Sequence, residues 1–207
     1  MKKLLLILLF LPMIGFGQGS NNDYSITTTL TSSAYFDIAY NNKLDYQYQI
    51  DNYTKCLRID PDNAVAYNNR GIAHNALKNY KDALDDYSRT IRITPDYALV
   101  YYNRAETYSN IGNYKDAIDD YSRAIRINPE FANAYYNRGI AYSDIKNYKD
   151  AIDDYSRAIR INPEFASAYY NRGIARENTG LPYCSDYKRA CDLGKEKCCE
   201  WYYKQCK

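Results

Sequence analysis

Histidine is nearly absent from this sequence, at one residue in 207, and glycine (9) and proline (6) are scarce. With a single His, a general base would have to come from a carboxylate, and there is no glycine-rich loop to cradle a phosphate. The adjacent acids Asp85-Asp86, Asp119-Asp120 and Asp153-Asp154 do not form a dyad, because neighbours on a helix point about 100° apart. No pairing of nucleophile and base is legible, so the reading is not an enzyme and needs no cofactor and no metal. An excess of one charge is also missing. Without residues 1–17, Lys+Arg falls from 27 to 25 and equals the 25 Asp+Glu. A formally neutral chain gives no basic surface for nucleic acid. What the chain has in abundance is tyrosine, 26 residues, and that composition suits a packed structure rather than a disordered one.

The start has the layout of a secretory signal. Lys2 and Lys3 precede an apolar run, Leu4 to Phe16, and Gly15-Phe16-Gly17 sets small residues before Gln18. The run is shorter than the roughly 20 residues a membrane span needs. The expectation is a signal peptide at 1–17, a flexible polar lead-in at 18–29, and an exported chain, periplasmic or secreted, with no stable membrane span after cleavage. An uncleaved anchor is the alternative. The short Lys-Lys start has a bacterial look.

A fixed period governs the rest. Pro61, Pro95, Pro129 and Pro163 follow one another at steps of 34, and Arg70, Arg104, Arg138 and Arg172 keep the same step. Residues 113–132 recur unchanged at 147–166. A period in this range signals a solenoid of stacked units. Each unit reads as two helices, for example Phe131 to Ile145 and Tyr148 to Ile161, with apolar residues at helical spacing. Pro163 ends one unit, because it cannot continue a helix and biases Asn162 away from helical geometry.

In the unit beginning at Ala132, Tyr135, Gly139, Tyr142, Tyr148, Ala151, Tyr155, Ala158 and Pro163 stand at positions 4, 8, 11, 17, 20, 24, 27 and 32. That pattern resembles the tetratricopeptide repeat (TPR), with Arg138 at position 7 in place of the usual Leu. The resemblance implies an all-α, right-handed α-solenoid of antiparallel helix pairs. The units fall at 64–97, 98–131 and 132–165, with a degenerate unit at 30–63 and an atypical Cys-rich unit and capping helix at 166–207. In the degenerate unit Asp37 occupies the small-residue position and Tyr40 position 11. Cys56 stands where Ala is usual and reads as a small core residue, and His74 replaces the Tyr of position 11.

The resemblance also implies a concave face lined by positions 2, 5, 6, 9, 12 and 13. Position 6 is Asn69, Asn103, Asn137 and Asn171, and an Asn amide both donates and accepts, as a peptide backbone requires. Position 5 adds Tyr102, Tyr136 and Tyr170, and position 9 adds Ile140. These residues are the candidate groove for a protein or peptide ligand. Position 2 carries no basic residue, so the carboxylate clamp of chaperone-binding TPR domains is not expected. Two alternatives stand beside a binding scaffold: a structural subunit of an envelope complex, and a cysteine-based redox or hydrolytic factor. Arg138 is expected to pair with Asp154 across the unit, or else to lay its stem on the core with a solvated head.

Five of the six cysteines lie near the end. Export favours disulfides over metal binding. Helices from Pro182 to Leu193 and Glu196 to Gln205, antiparallel, would bring together residues whose numbers have a constant sum. Cys191 with Cys199 and Cys184 with Cys206 both give 390, and Cys191 with Cys198 gives 389. The expected staples are Cys191–Cys199 and Cys184–Cys206, with Cys198 as competitor. The thiol left over is either buried or reactive, and a zinc site remains an alternative.

Overall fold

A computed structural model describes residues 30–42 and 45–206. The expected signal and lead-in lie outside them. All regular structure among the described residues is helical: α1 (Ser32–Asn41), α2 (Tyr46–Ile59), α3 (Ala64–Ala76), α4 (Tyr80–Ile93), α5 (Ala98–Asn110), α6 (Tyr114–Ile127), α7 (Ala132–Asp144), α8 (Tyr148–Ile161), α9 (Ala166–Asn178), α10 (Cys184–Asp192) and α11 (Glu196–Gln205). No helix among the described residues is long and apolar enough to cross a membrane.

From α3 onward each unit turns tightly because its first helix ends in a left-handed residue. At the end of α7, Lys146 has φ 62°, its N–H donates to the Ser143 carbonyl at 2.9 Å, and the Asn147 N–H reaches back to the Tyr142 carbonyl at 2.8 Å. This is a Schellman closure. Gly112 occupies the same place after α5 at φ 77°, and Lys78 after α3 at φ 61°. Asn147 then caps the next helix, its Oδ1 accepting from the Asp150 N–H at 3.5 Å.

Small residues let the paired helices close up. Tyr53, Tyr87, Tyr121, Tyr155 and Tyr187 are each 2% exposed or less. A Cβ added at Gly139 would come within 2.8 Å of the Tyr155 ring, so the ring lies directly on bare helix backbone there. Ala83, Ala117 and Ala151 are fully buried on the second helices. Cys56 is buried as well, its Sγ 3.2 Å from Ser32 Oγ.

Arg138 does pair with Asp154. Its Nε and Nη2 donate to Asp154 Oδ2 and Oδ1 at 2.8 and 2.7 Å, and its Nη1 donates to Ser122 Oγ, on the preceding unit's second helix, at 2.8 Å. The same three-helix clamp recurs at Arg70 (Asp86, Thr54), Arg104 (Asp120, Ser88) and Arg172 (Asp186, Ser156). Each guanidinium also lies over a tyrosine of its own helix, as Arg138 does over Tyr135 at 5.7 Å. Burial works against the Arg138 charge, but the hydrogen bonds and charge of Asp154 outweigh it and hold the proton more tightly than usual.

The fixed count of 34 fails at both ends. The start of α1 lies 14 residues before the start of α2 (Ser32 to Tyr46), against 16 from α3 to α4 (Ala64 to Tyr80). The first unit is thus two residues short. Ala39, not Asp37, is the buried small residue, and Phe36 meets Tyr53 edge-on at 5.6 Å as its position-5 aromatic. Tyr40 moves from position 11 to position 9 and is 55% exposed. At the other end Arg172 meets Asp186 across 14 residues instead of 16. Helix α10 starts at Cys184, two residues later than Pro182, because Gly180 turns left-handed at φ 70° and Pro182 follows.

Disulfides join Cys184 to Cys206 and Cys191 to Cys199, with Cα atoms 5.7 and 4.9 Å apart, and tie α11 onto α10. Cys198 is free and fully buried.

Candidate functional site

The first helices form the inner lane of the solenoid. Helices α3 and α5, α5 and α7, and α7 and α9 touch one another across units, which the second helices do not do to the same degree. A stack whose first helices crowd while its second helices spread is bent, with the first helices on the concave side.

The asparagines of position 6 stand on this lane, and each makes a bond that joins one unit to another or fixes the floor. Asn103 Nδ2 donates to Asn68 Oδ1 at 3.0 Å, Asn137 Nδ2 to the Tyr102 hydroxyl at 2.9 Å, and Asn171 Nδ2 to the Tyr136 hydroxyl at 3.1 Å. Asn69 Oδ1 accepts from Asn68 Nδ2 at 3.2 Å. Asn103 is buried, while Asn69, Asn137 and Asn171 are half-buried. The amide ladder is first of all a seam between units.

The tyrosines of position 5 pack into the same seam. Tyr102 lies 5.8 Å from the Tyr121 ring and 4.9 Å from Phe131, and Tyr136 lies 5.9 Å from Tyr155 and 4.6 Å from Phe165. Tyr170 meets Tyr187 at 5.8 Å, but where Phe131 and Phe165 stood it carries Lys195, whose Nζ is 5.4 Å from the ring and donates to Ser167 Oγ at 2.7 Å. Burial pushes the Tyr102 hydroxyl up to about 12 and raises Tyr136 as well.

What faces outward from the lane is an apolar rail, broken at position 2 by Asn133 and Ser167 and at position 9 by Glu106. Val65 is 49% exposed, Leu99 39% and Ile72 41%, and Ile140 and Ile174 are half-buried. At position 9 the interruption is Glu106, half-buried one helical turn from Tyr102. Burial raises the Glu106 carboxyl above its ordinary value. At the first unit Tyr40, Tyr46, Gln49, Tyr53, Asn69 and Ile72 surround a hollow of about 240 Å³. The sequence placed Tyr40 at position 11, away from the groove, and did not single out Tyr46. The two-residue shortening of α1 is what turns Tyr40 inward.

Other candidate chemistry lies elsewhere. His74 sits on the outer side beside Arg70, 4.0 Å from Asp86, and burial lowers its pKa. Being smaller than Tyr108 and Tyr142, it leaves a cleft of about 510 Å³ in the first full unit. Burial pushes the Cys198 thiol up, away from the thiolate. No group of three or more His, Cys, Asp or Glu able to hold a metal occurs among the described residues.

The tetratricopeptide repeat family matches at residues 64–97, 98–131 and 132–165. No curated protein sequence matches the chain. Among solved structures, the crystal structure of MamA protein is 29% identical over 80% of this chain and 93% of its own, with a TM-score of 0.73. YrrB, described as a TPR protein with an unusual peptide-binding site, is 18% identical over 80% of this chain and 94% of its own, with a TM-score of 0.65. The first TPR of Spaghetti (RPAP3), bound to the HSP90 peptide SRMEEVD, is 22% identical over 56% of this chain and 93% of its own, with a TM-score of 0.56. Residues 64–165 are three tetratricopeptide repeats, and the chain folds as a TPR solenoid closed at one end by a disulfide-stapled helix pair.

Proposed function

We propose that this chain is a non-catalytic scaffold whose concave lane holds an extended segment of another protein. The observation that carries the reading is the exposed apolar rail on the inner helices, Val65, Ile72 and Leu99. Apolar side chains presented in a row along a concave wall mark an interaction surface. The amide and aromatic seam beneath, from Asn137 and Tyr102 to Asn171 and Tyr136, holds that wall rigid, which lowers the ordering cost of binding. Asn69, Asn103, Asn137 and Asn171 act as supports, and Ile140 and the faces of Tyr102, Tyr136 and Tyr170 are the contact surface.

The chain acts outside the cytosol in this reading. Two disulfides suit an oxidising compartment, and the charged start with its short apolar run suits export. The formal neutrality of residues 18–207 speaks for a protein partner over nucleic acid.

The test is photo-crosslinking in cells from a probe placed at Ile174, followed by mass spectrometry, in the parent and in the Ile72→Glu and Ile140→Glu variants. The expected outcome is one or a few crosslinked proteins that vanish in both variants. Crosslinks that persist unchanged would move the interaction to the outer face or the stapled end, as a structural subunit requires.

A further inference from the structure

We infer that the groove selects a segment carrying a lysine or arginine set among apolar residues at intervals of three. This rests on the scaffold reading above and adds the chemistry of the guest.

The charge on the lane is one-sided. From Val65 to Asn178 the groove positions hold Glu106, Asp144 and Glu177 and neither lysine nor arginine. Lys195, at the far end, is engaged with Ser167 and the Tyr170 ring. Glu177 accepts from the Tyr187 hydroxyl at 3.0 Å and lies at the exposed rim. Glu106 is different. It interrupts the row Ile72, Ile140, Ile174 in the middle of the lane, and no ion pair engages it among the described residues. It stands one helical turn from Tyr102, whose hydroxyl accepts from Asn137 Nδ2 at 2.9 Å. A half-buried carboxylate lacking a cation recognises a cation brought to it. An acidic guest would meet repulsion from all three carboxylates.

Spacing gives the motif. Packed helices lie about 8–10 Å apart, and an extended chain advances about 3.3 Å per residue. A guest crossing α3, α5, α7 and α9 therefore meets a new position 9 at about every third residue. Opposite Ile72, Glu106, Ile140 and Ile174 the complement is apolar-x-x-basic-x-x-apolar-x-x-apolar, read in one chain direction or the other.

Two fluorescein-labelled decapeptides with Leu at the apolar places, Arg at the basic place and Ser between, one in each order, are titrated with the full chain by anisotropy. Partner peptides carry Gln or Glu in place of Arg. One Arg order is expected to bind about ten-fold tighter than its Gln form, and the Glu form weaker still. Glu106→Gln, which keeps the side chain's shape and removes its charge, is expected to bring the Arg and Gln forms within about two-fold of each other. Equal binding of the Arg, Gln and Glu forms, or an Arg preference that survives Glu106→Gln, overturns the inference. If that equal binding is lost in Ile140→Glu, the scaffold reading stands without its basic guest. Binding that ignores both variants, or no binding of any peptide, overturns the two together.

Discussion

Arg138 and Asp154 meet through two parallel bonds of 2.8 and 2.7 Å, and the third prong of the same guanidinium crosses a unit boundary to Ser122. The Arg side chain is 18% exposed and the Asp 6%. One residue thus fastens three helices. Arg138→Leu is expected to lose about 3–5 kcal/mol, because it strands a buried carboxylate. Asp154→Leu made together with Arg138→Leu removes both charges and recovers most of that loss. Urea titration of the double-mutant cycle checks both. A single variant as stable as the parent would mean the clamp adds nothing.

Lys78 and Lys146 adopt the left-handed conformation that Gly112 supplies in the neighbouring unit. Lys146→Gly relieves a Cβ strain of about 1–2 kcal/mol and gives part of it back through a freer unfolded chain. The variant is expected to be more stable by up to about 1 kcal/mol, read as a higher denaturation midpoint. Gly112→Lys is expected to move it the other way.

Burial raises the Glu106 carboxyl, and the groups that sense it, Tyr87, Tyr102 and Tyr121, are neutral. A folded-state pKa above the unfolded value means that ionisation opposes folding. The loss begins as pH rises through the unfolded pKa, near 4.3, and is complete above the raised folded pKa. Glu106→Gln is therefore expected to be more stable than the parent at neutral pH and no more stable at pH 3. Paired melting curves at the two pH values read the difference, and a stability gain that does not change with pH would contradict the raised pKa.

Cys184–Cys206 and Cys191–Cys199 leave two thiols, Cys56 and Cys198, both buried. Intact mass is expected to rise by two hydrogens per bridge on reduction. The native chain should take up thiol reagent only on unfolding. Each bridge contributes about 2–4 kcal/mol, so reduction should loosen α10 and α11 first. Hydrogen exchange confined to those helices would show it, and exchange spread over the whole chain would not fit.

The central units were readable because period and chemistry agree there. Tyr155 needs Gly139 beneath it, Pro163 must end a helix, and Arg138 faces Asp154 sixteen residues on, all within one unit. At the ends the staples Cys184–Cys206 and Cys191–Cys199 were readable, but the repeat register was not, because two residues are lost from each and a fixed count carries the error forward. It set Asp37 where Ala39 lies, and sixteen residues on from Arg172 it meets Lys188 rather than the Asp186 that pairs with it. The seam from Asn137 to Tyr102 was hidden for another reason. It joins residues 35 apart, one more than the period, so it belongs to no single unit and depends on how two units are turned against each other. The groove positions were legible from the family pattern alone. Which of their atoms are already engaged was not.

Residues 113–132 and 147–166 are identical, and the Arg–Asp–Ser clamp on either side of them uses the same groups. The seam from Asn137 to Tyr102 is likewise repeated from Asn171 to Tyr136, so these two joints are one joint made twice. A genetic duplication or loss of one cassette changes the length of the array without creating a new interface, so a lineage can match its reach to a longer or shorter guest in a single recombination.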